Sequence, residues 1–291
     1  MRYPTVSSTM KLLNWGHKMG LKRTFKRAVS ITNDFLSIYG VSPIKTVRAL
    51  RGTPSFIRDL RTFKRMLGDR TDWTFGLMNP MLEERFAQSG TAGGHYFHQD
   101  LLVAIRIYQR NPRRHIDIGS RIDGFVAHVA SFREIEIIDI RPLDAEIPNV
   151  KFLQMDLMCE LKSDYVAISD SLSCLHALEH FGLGRYGDPV DPDGYKIGFA
   201  NLVQILKPGG TLYFSVPIGR QRIEFNAHRI FGLSYLLEMF EEHHLQLFAF
   251  SYVKDDGSLV GNVTITPDLM ATVDGMKCGC GIFELNKPAI N

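Results

Sequence analysis

Three carboxylates stand at the ends of three short apolar runs. Asp117 falls in "HIDIGSRIDGF" (115–125), Asp139 ends "EIEIID" and Asp156 follows "VKFLQM". In a sheet of parallel strands joined by helices, ligands bind beyond the carboxyl ends of the strands, so acids recurring there face one crevice. Asp139 lies twenty residues after Gly119, the spacing at which an acid reaches the two hydroxyls of a ribose. Asp156 is placed to accept a hydrogen bond from an adenine amino group. The turn after Asp117 is made small by Gly119 and Ser120, but it lacks G-x-G-x-x-G, and Asp123 would repel a diphosphate. An acid-bearing turn suits a cationic ligand, such as the amino-acid and sulfonium portion of S-adenosylmethionine. Singly, each acid is an ordinary cap or turn residue; the series of three is what points to an adenosine-bearing cation.

A second group could do proton chemistry. In "SLSCLHALEHFG", His176 and His180 are four apart, which puts them on one face of a helix expected over 172–181. Either could take a proton from a hydroxyl acceptor, with Glu179 as an acceptor contact. The same letters fit H-x-x-E-H, the inverted zinc-protease signature, with Glu238, Glu241 or Glu242 as nominal third ligand. In "GLGRYGDPVDPDGY", Arg185 and Tyr186 could bind an anionic or sugar-like acceptor. Asp188, Asp191 and Asp193 could offer oxygens to Mg²⁺ or Ca²⁺, but read first as turn residues, so no metal is assigned. "FNAHRIF" supplies Asn226, His228 and Arg229 as an acceptor wall, His228 being a further candidate base; a helix cap is the competing explanation. Upstream, "GGHYFHQDLLVA" places His95, His98, Gln99 and Asp100 at the start of a helix covering the cofactor, where Gln99 and Asp100 equally read as caps.

The elements that must hold these groups alternate from His115 onward. Strands are expected at "RHIDI", "EIEIIDI", "VKFLQM", "DYVAIS" and "TLYFSV", with helices around 122–131, 172–181 and 195–206, which predicts a doubly wound, mostly parallel sheet. A helix near 231–243 and the strands "LQLFAFSYV" and "GIFELN" follow, the strands separated by an unusually long loop. Residues 1–92 form a basic, mainly helical extension with breaks near Gly40, Pro43 and Gly52-Thr53-Pro54; the α/β domain occupies 93–291 and opens with a helix from about Phe97 to Gln109. Residues 1–70 carry fifteen Lys and Arg against three acids, whereas the rest carries nineteen against twenty-eight. "HKMGLKRTFKRAV" and "IRDLRTFKRML" interleave cations with apolar residues, a pattern suited to an anionic membrane surface and, without a nucleic-acid motif, equally to a solvated helix face. No apolar run is long enough to span a bilayer, and four scattered cysteines give no disulfide framework or C-x-x-C knuckle, so a cytosolic protein is expected.

The series resembles the class I S-adenosylmethionine-dependent methyltransferases: "IDIGS" is similar to their first motif, Asp139 to their ribose acid, "MDL" to their adenine contact, and "LKPGGTLYFSVP" to their fifth-strand motif. More closely, "HVASF", "IDIRPL", "SLSCLHALEHFGLGRYGDPVDPDG" and "FNAHRIF" resemble an uncharacterised DUF268-like family associated with glycan and cell-envelope biosynthesis. The resemblance covers roughly residues 93–240. It implies a Rossmann-like seven-strand sheet with the last strand antiparallel. It also implies a cofactor site of Asp117, Gly119, Ser120, Asp139, Ile140, Asp156, Leu157 and Asp170, and O-methylation of a small-molecule or glycan acceptor. The incomplete glycine turn keeps a second expectation open, a non-catalytic nucleotide-binding or scaffold protein.

Overall fold

The computed structural model describes residues 32, 35–70, 72–87, 89–90 and 92–289, and the chain divides into two compact units, 1–91 and 92–291. In the first unit, α1 (Pro43–Leu67) starts at Ser42, whose side chain accepts from the Lys45 N–H, and has Pro43 in its first turn, where a missing N–H costs nothing. The break expected at Gly52-Thr53-Pro54 does not occur. Gly52 packs against the Leu82 carbonyl, which a Cβ would approach to 2.0 Å, and the Thr53 hydroxyl bonds the Ala49 carbonyl, so the helix passes through Pro54. "IRDLRTFKRML" lies in α1, and Val47, Leu50, Phe63 and Met66 are exposed along it beside its cations. "HKMGLKRTFKRAV" lies outside the described residues. No helix among the described residues is long and apolar enough to cross a membrane.

The second unit is a sheet of β1 (His115–Ile118), β2 (Ile135–Asp139), β3 (Val150–Gln154), β4 (Ser169–Leu175), β5 (Leu206–Ile218), β8 (Gln246–Val253), β9 (Leu259–Val260) and β10 (Gly279–Asn286). A separate hairpin joins β6 (Arg222–Glu224) to β7 (His228–Ile230). The sheet order is β3-β2-β1-β4-β5-β10-β8-β9. β1 to β5 run parallel, and β10 runs antiparallel between β5 and β8. This is the expected doubly wound sheet with one antiparallel strand, plus a two-residue edge strand that the sequence did not signal. One face is covered by α2 (His95–Arg110), a π-turn at Ile122–Val126 and α3 (Ala127–Ala130), which bury Val103, Ile107, Phe125 and Val129. The other is covered by α4 (Gly194–Ile205), α5 (Leu233–Glu242) and α6 (Pro267–Asp274), with Phe199, Leu202, Leu236 and Phe240 in its core.

Two expected elements move. "DYVAIS" is not a strand: Ser163–Tyr165 forms a 3-10 turn and β4 begins at Ser169. The helix over 172–181 is absent, because β4 runs to Leu175 and only a 3-10 turn, Leu178–His180, follows. Serines at 169, 171 and 173 disguise a buried strand, since their hydroxyls find polar partners inside the sheet. The long loop before β10 contains β9 and α6, the latter capped by the Thr266 side chain on Leu269 N–H with Pro267 following.

Candidate active site

The first turn is built from buried polar groups that satisfy one another. His115 on β1 is hydrogen-bonded across the strand pair to Ser171 (2.8 Å) and Ser173 (3.1 Å) on β4. The next inward acid, Asp117, accepts from the Ser173 hydroxyl, the Ser120 hydroxyl (2.8 Å) and the Ser120 N–H (3.0 Å). Burial pushes the Asp117 carboxyl up to about 7, against those three donors. Asp117, fully buried, therefore shapes the turn instead of touching a ligand, a correction to its expected contact with cofactor, whereas Ser120 lines a neighbouring pocket beside Asp139 and Arg141. Gly119 makes the turn tight: its φ is +70° and a Cβ would stand 3.0 Å from Ala177 Cβ.

Beyond the ends of β1 to β4 opens a crevice. Gly119, Asp139, Ile140, Asp156 and Leu157 line it, together with His176, His180 and Tyr186. Five of the eight residues expected at the cofactor thus converge. Asp139 is gripped by Arg141, whose Nε (3.0 Å) and Nη2 (2.6 Å) donate to its two oxygens while the Arg141 N–H donates at 2.8 Å. The Arg141 guanidinium also lies 4.6 Å from the Tyr186 ring. Asp156 accepts from Met158 N–H at 2.8 Å. Asp170 is misplaced by the sequence: it stands near the amino end of β4, where it accepts from the Arg113 and Arg114 N–H groups at the opposite rim of the sheet.

His176 is not helical; it directly follows β4 with φ +51°, a strained backbone for a non-glycine residue. Its Nδ1 is 2.6 Å from Glu179 Oε1. Burial opposes charge on this imidazole, but Cys280 and Glu179 outweigh it and hold its pKa above the usual histidine value; His176 correspondingly lowers that of Glu179 against the effect of burial. Glu179 is thus buried and spent on His176, which corrects its expected role as an acceptor contact and removes the water-activating glutamate that H-x-x-E-H requires. His180 differs. Its Nδ1 is 2.7 Å from the Ala227 carbonyl and so carries the proton, which leaves Nε2 as the basic nitrogen, 3.8 Å from Glu179. Burial lowers its pKa.

The acceptor-wall residues contribute in other ways than expected. "FNAHRIF" forms the turn and second strand of the β6–β7 hairpin, with Asn226 at the turn (φ +63°), and it reaches His180 through the Ala227 carbonyl. His228 faces Glu224 at 3.4 Å and does not line the crevice, and Arg229 is buried, donating to the Glu179, Phe181 and Pro192 carbonyls. Both are corrections. Arg185 donates to Ala227 O at 2.9 Å and flanks Tyr186. Asp188 accepts from the Gly182, Gly184 and Tyr186 N–H groups, whereas Asp191 accepts from Asp193 N–H and Asp193 pairs with Lys196, so the three acids serve separate turns. Glu238, Glu241 and Glu242 lie on α5, and the H-x-x-E-H histidines share no helix with which to complete a protease site.

On α2, His95 stacks on His176 with ring centroids 5.2 Å apart, while Phe97 meets His98 edge-on. Gln99 accepts from the Ser215 hydroxyl and donates to Asp100 at 3.0 Å; both are buried in the second turn, so neither caps the helix. Burial raises the Asp100 carboxyl, whose Oδ2 would be 2.7 Å from any Cβ at Gly124. Sequence reasoning missed Arg141, Met155, Met158 and Phe181 in the crevice wall. The signal for Arg141 was its place two residues after an acid at a strand end.

Residues 134–257 match the family described as "Caenorhabditis protein of unknown function, DUF268". No curated protein matches the sequence. Among solved structures, the chain is similar to the Burkholderia thailandensis 1,6-didemethyltoxoflavin-N1-methyltransferase bound to 1,6-didemethyltoxoflavin and S-adenosylhomocysteine. The identity is 16%, with 65% of this chain and 78% of that chain covered and a TM-score of 0.47. It is also similar to the [4+2]-cyclase SpnF, at 16% identity, 66% and 81% coverage and a TM-score of 0.46. A third similarity is to the N-methyltransferase NodS from Bradyrhizobium japonicum WM9 with S-adenosyl-L-homocysteine, at 14%, 67% and 89%, and 0.44. Residues 134–257 therefore carry the pattern of the DUF268 family, within a doubly wound, Rossmann-like sheet that has one long antiparallel strand.

Proposed function

We propose that this protein is a methyltransferase that uses S-adenosylmethionine to methylate an oxygen, with a sugar or glycan intermediate as acceptor. The observation that carries the reading is the convergence of Gly119, Asp139, Ile140, Asp156 and Leu157 on one crevice beyond the carboxyl ends of the strands, where ligands of doubly wound sheets bind. The residues fit the cofactor. Gly119 lets backbone approach it, Asp139 would hold the ribose hydroxyls, and Asp156 would hold the adenine amino group between the apolar Ile140 and Leu157. The bound cofactor supplies an electrophilic methyl group on a cationic sulfur. Arg141 would yield Asp139 to the ribose and keep its contact with the Tyr186 ring. His180, neutral and with Nε2 as its basic nitrogen, would remove the proton of an acceptor hydroxyl. Tyr186, beside Arg141 and Arg185, offers an aromatic platform with cations for a sugar-like acceptor.

Calorimetry with S-adenosylmethionine and its demethylated product tests this directly. Both should bind, and Asp139→Ala should weaken binding more than tenfold, about 1.4 kcal/mol. Binding of neither would favour the non-catalytic scaffold, for which the closed Asp139–Arg141 pair is the supporting observation. We further propose that residues 1–67, through their cations and the exposed apolar side chains of α1, place the enzyme at the cytoplasmic face of an anionic membrane.

A further inference from the structure

We propose that His95, His176 and Cys280 form a zinc site of the open, three-ligand kind at the rim of the crevice. The three come from distant parts of the sequence. α2 begins at His95, β4 ends just before His176, and β10, running antiparallel, brings its second residue, Cys280, to the same rim. One ring nitrogen of each histidine and the Cys280 sulfur all lie within 4.8 Å of one another. Soft thiolate and imidazole donors of this kind select zinc over the hard cations.

The surroundings fit a metal better than a merely packed cluster. His176 Nε2 is buried and has no hydrogen-bond partner, a costly arrangement for an isolated polar atom, and its side chain is only 5% exposed. Its other nitrogen is held by Glu179 at 2.6 Å. Metal-binding histidines characteristically use their second nitrogen in this way, on a carboxylate or a carbonyl. The charges also balance: a divalent cation meets one thiolate and the Glu179 carboxylate.

Ligand atoms around tetrahedral zinc stand about 3.3–3.6 Å apart for bonds of about 2.0–2.3 Å, so the cluster must close by about 1 Å. The two parallel rings must tilt for their lone pairs to converge, and His95, half-buried in the first turn of α2, has room to do so. Binding releases to solvent the one proton held by the His176–Cys280 pair, which leaves a thiolate and a neutral imidazole as ligands. This site shares no residue with the H-x-x-E-H expectation except His176, and it holds whether or not the crevice takes the proposed cofactor.

The test uses the full chain, stripped with chelator and titrated with Co²⁺ as probe. One equivalent should produce a thiolate-to-cobalt charge-transfer band in the near ultraviolet, and zinc should displace it. Cys280→Ser should lose the band, His95→Ala should lower Co²⁺ affinity at least 100-fold, and Glu179→Gln should keep the band with affinity about 10–100-fold weaker. Cys159→Ser, at an exposed thiol, should change neither. Because Cys280 is fully buried and its replacement could disturb folding, His95→Ala is the independent second variant. A wild-type protein with no band, a band that survives in folded Cys280→Ser, or unchanged affinity in His95→Ala would each overturn the site.

Discussion

The Ala227 carbonyl decides what His180 can do. By fixing the proton on Nδ1 it leaves Nε2 basic, and burial keeps the imidazole neutral near neutral pH. A neutral base works once pH exceeds its pKa, so the acid limb of kcat should lie below about 6.5, the ordinary histidine value. His180→Ala should cut turnover about 10²–10⁴-fold with cofactor affinity unchanged, and His228→Ala should leave both alone. A pH profile whose acid limb lies above that value would refute this assignment. Asp117 makes a different prediction, about stability. Its folded pKa of about 7 exceeds its unfolded value, so the stabilisation is full below about pH 4 and is lost as pH rises through about 7. The denaturant midpoint of the wild type should therefore fall more between about pH 5 and about pH 8 than that of Asp117→Asn.

Turns at the strand ends set the precision of the crevice, and glycines set the turns. Gly119 and Gly182 both have positive φ, but a Cβ at Gly182 would stand 1.9 Å from the Asp191 carbonyl oxygen, against 3.0 Å from a side-chain carbon at Gly119. Alanine should cost about 1–2 kcal/mol at Gly119 from backbone strain and distinctly more at Gly182, where main chain must move. Urea titrations of the two variants check the order. At this scale the sequence was informative where pattern and position agree: β1, β2 and β3 are short apolar runs that end in, or lead into, acids, and Asp139 and Asp156 fall in the crevice as their spacing implies. It was misleading at β4, because serines that look like turn residues are buried and bonded to His115 and Asp117. That one error put His176 on a helix instead of at a strand end and Asp170 at the wrong rim. The partnership of His95, His176 and Cys280 had no local signal at all, since only the folded sheet makes them neighbours.

Over the whole molecule, charge and topology act separately. The basic first seventy residues contrast with an acidic remainder, and α1 exposes apolar side chains among its cations. Deleting residues 1–67 should abolish sedimentation with anionic vesicles while calorimetric cofactor binding stays the same; equal sedimentation would reassign the arm to protein contacts. The wild-type association should weaken with added salt. The position of β10 governs how the domain is made. During synthesis β5 and β8 are both complete before β10 emerges, so each waits with an open flank until the intervening strand slots in and joins the halves. Chains stopped before Gly279 would keep two hydrogen-bonding rows bare in the middle of the sheet, and they should clump together instead of surviving as a smaller working enzyme.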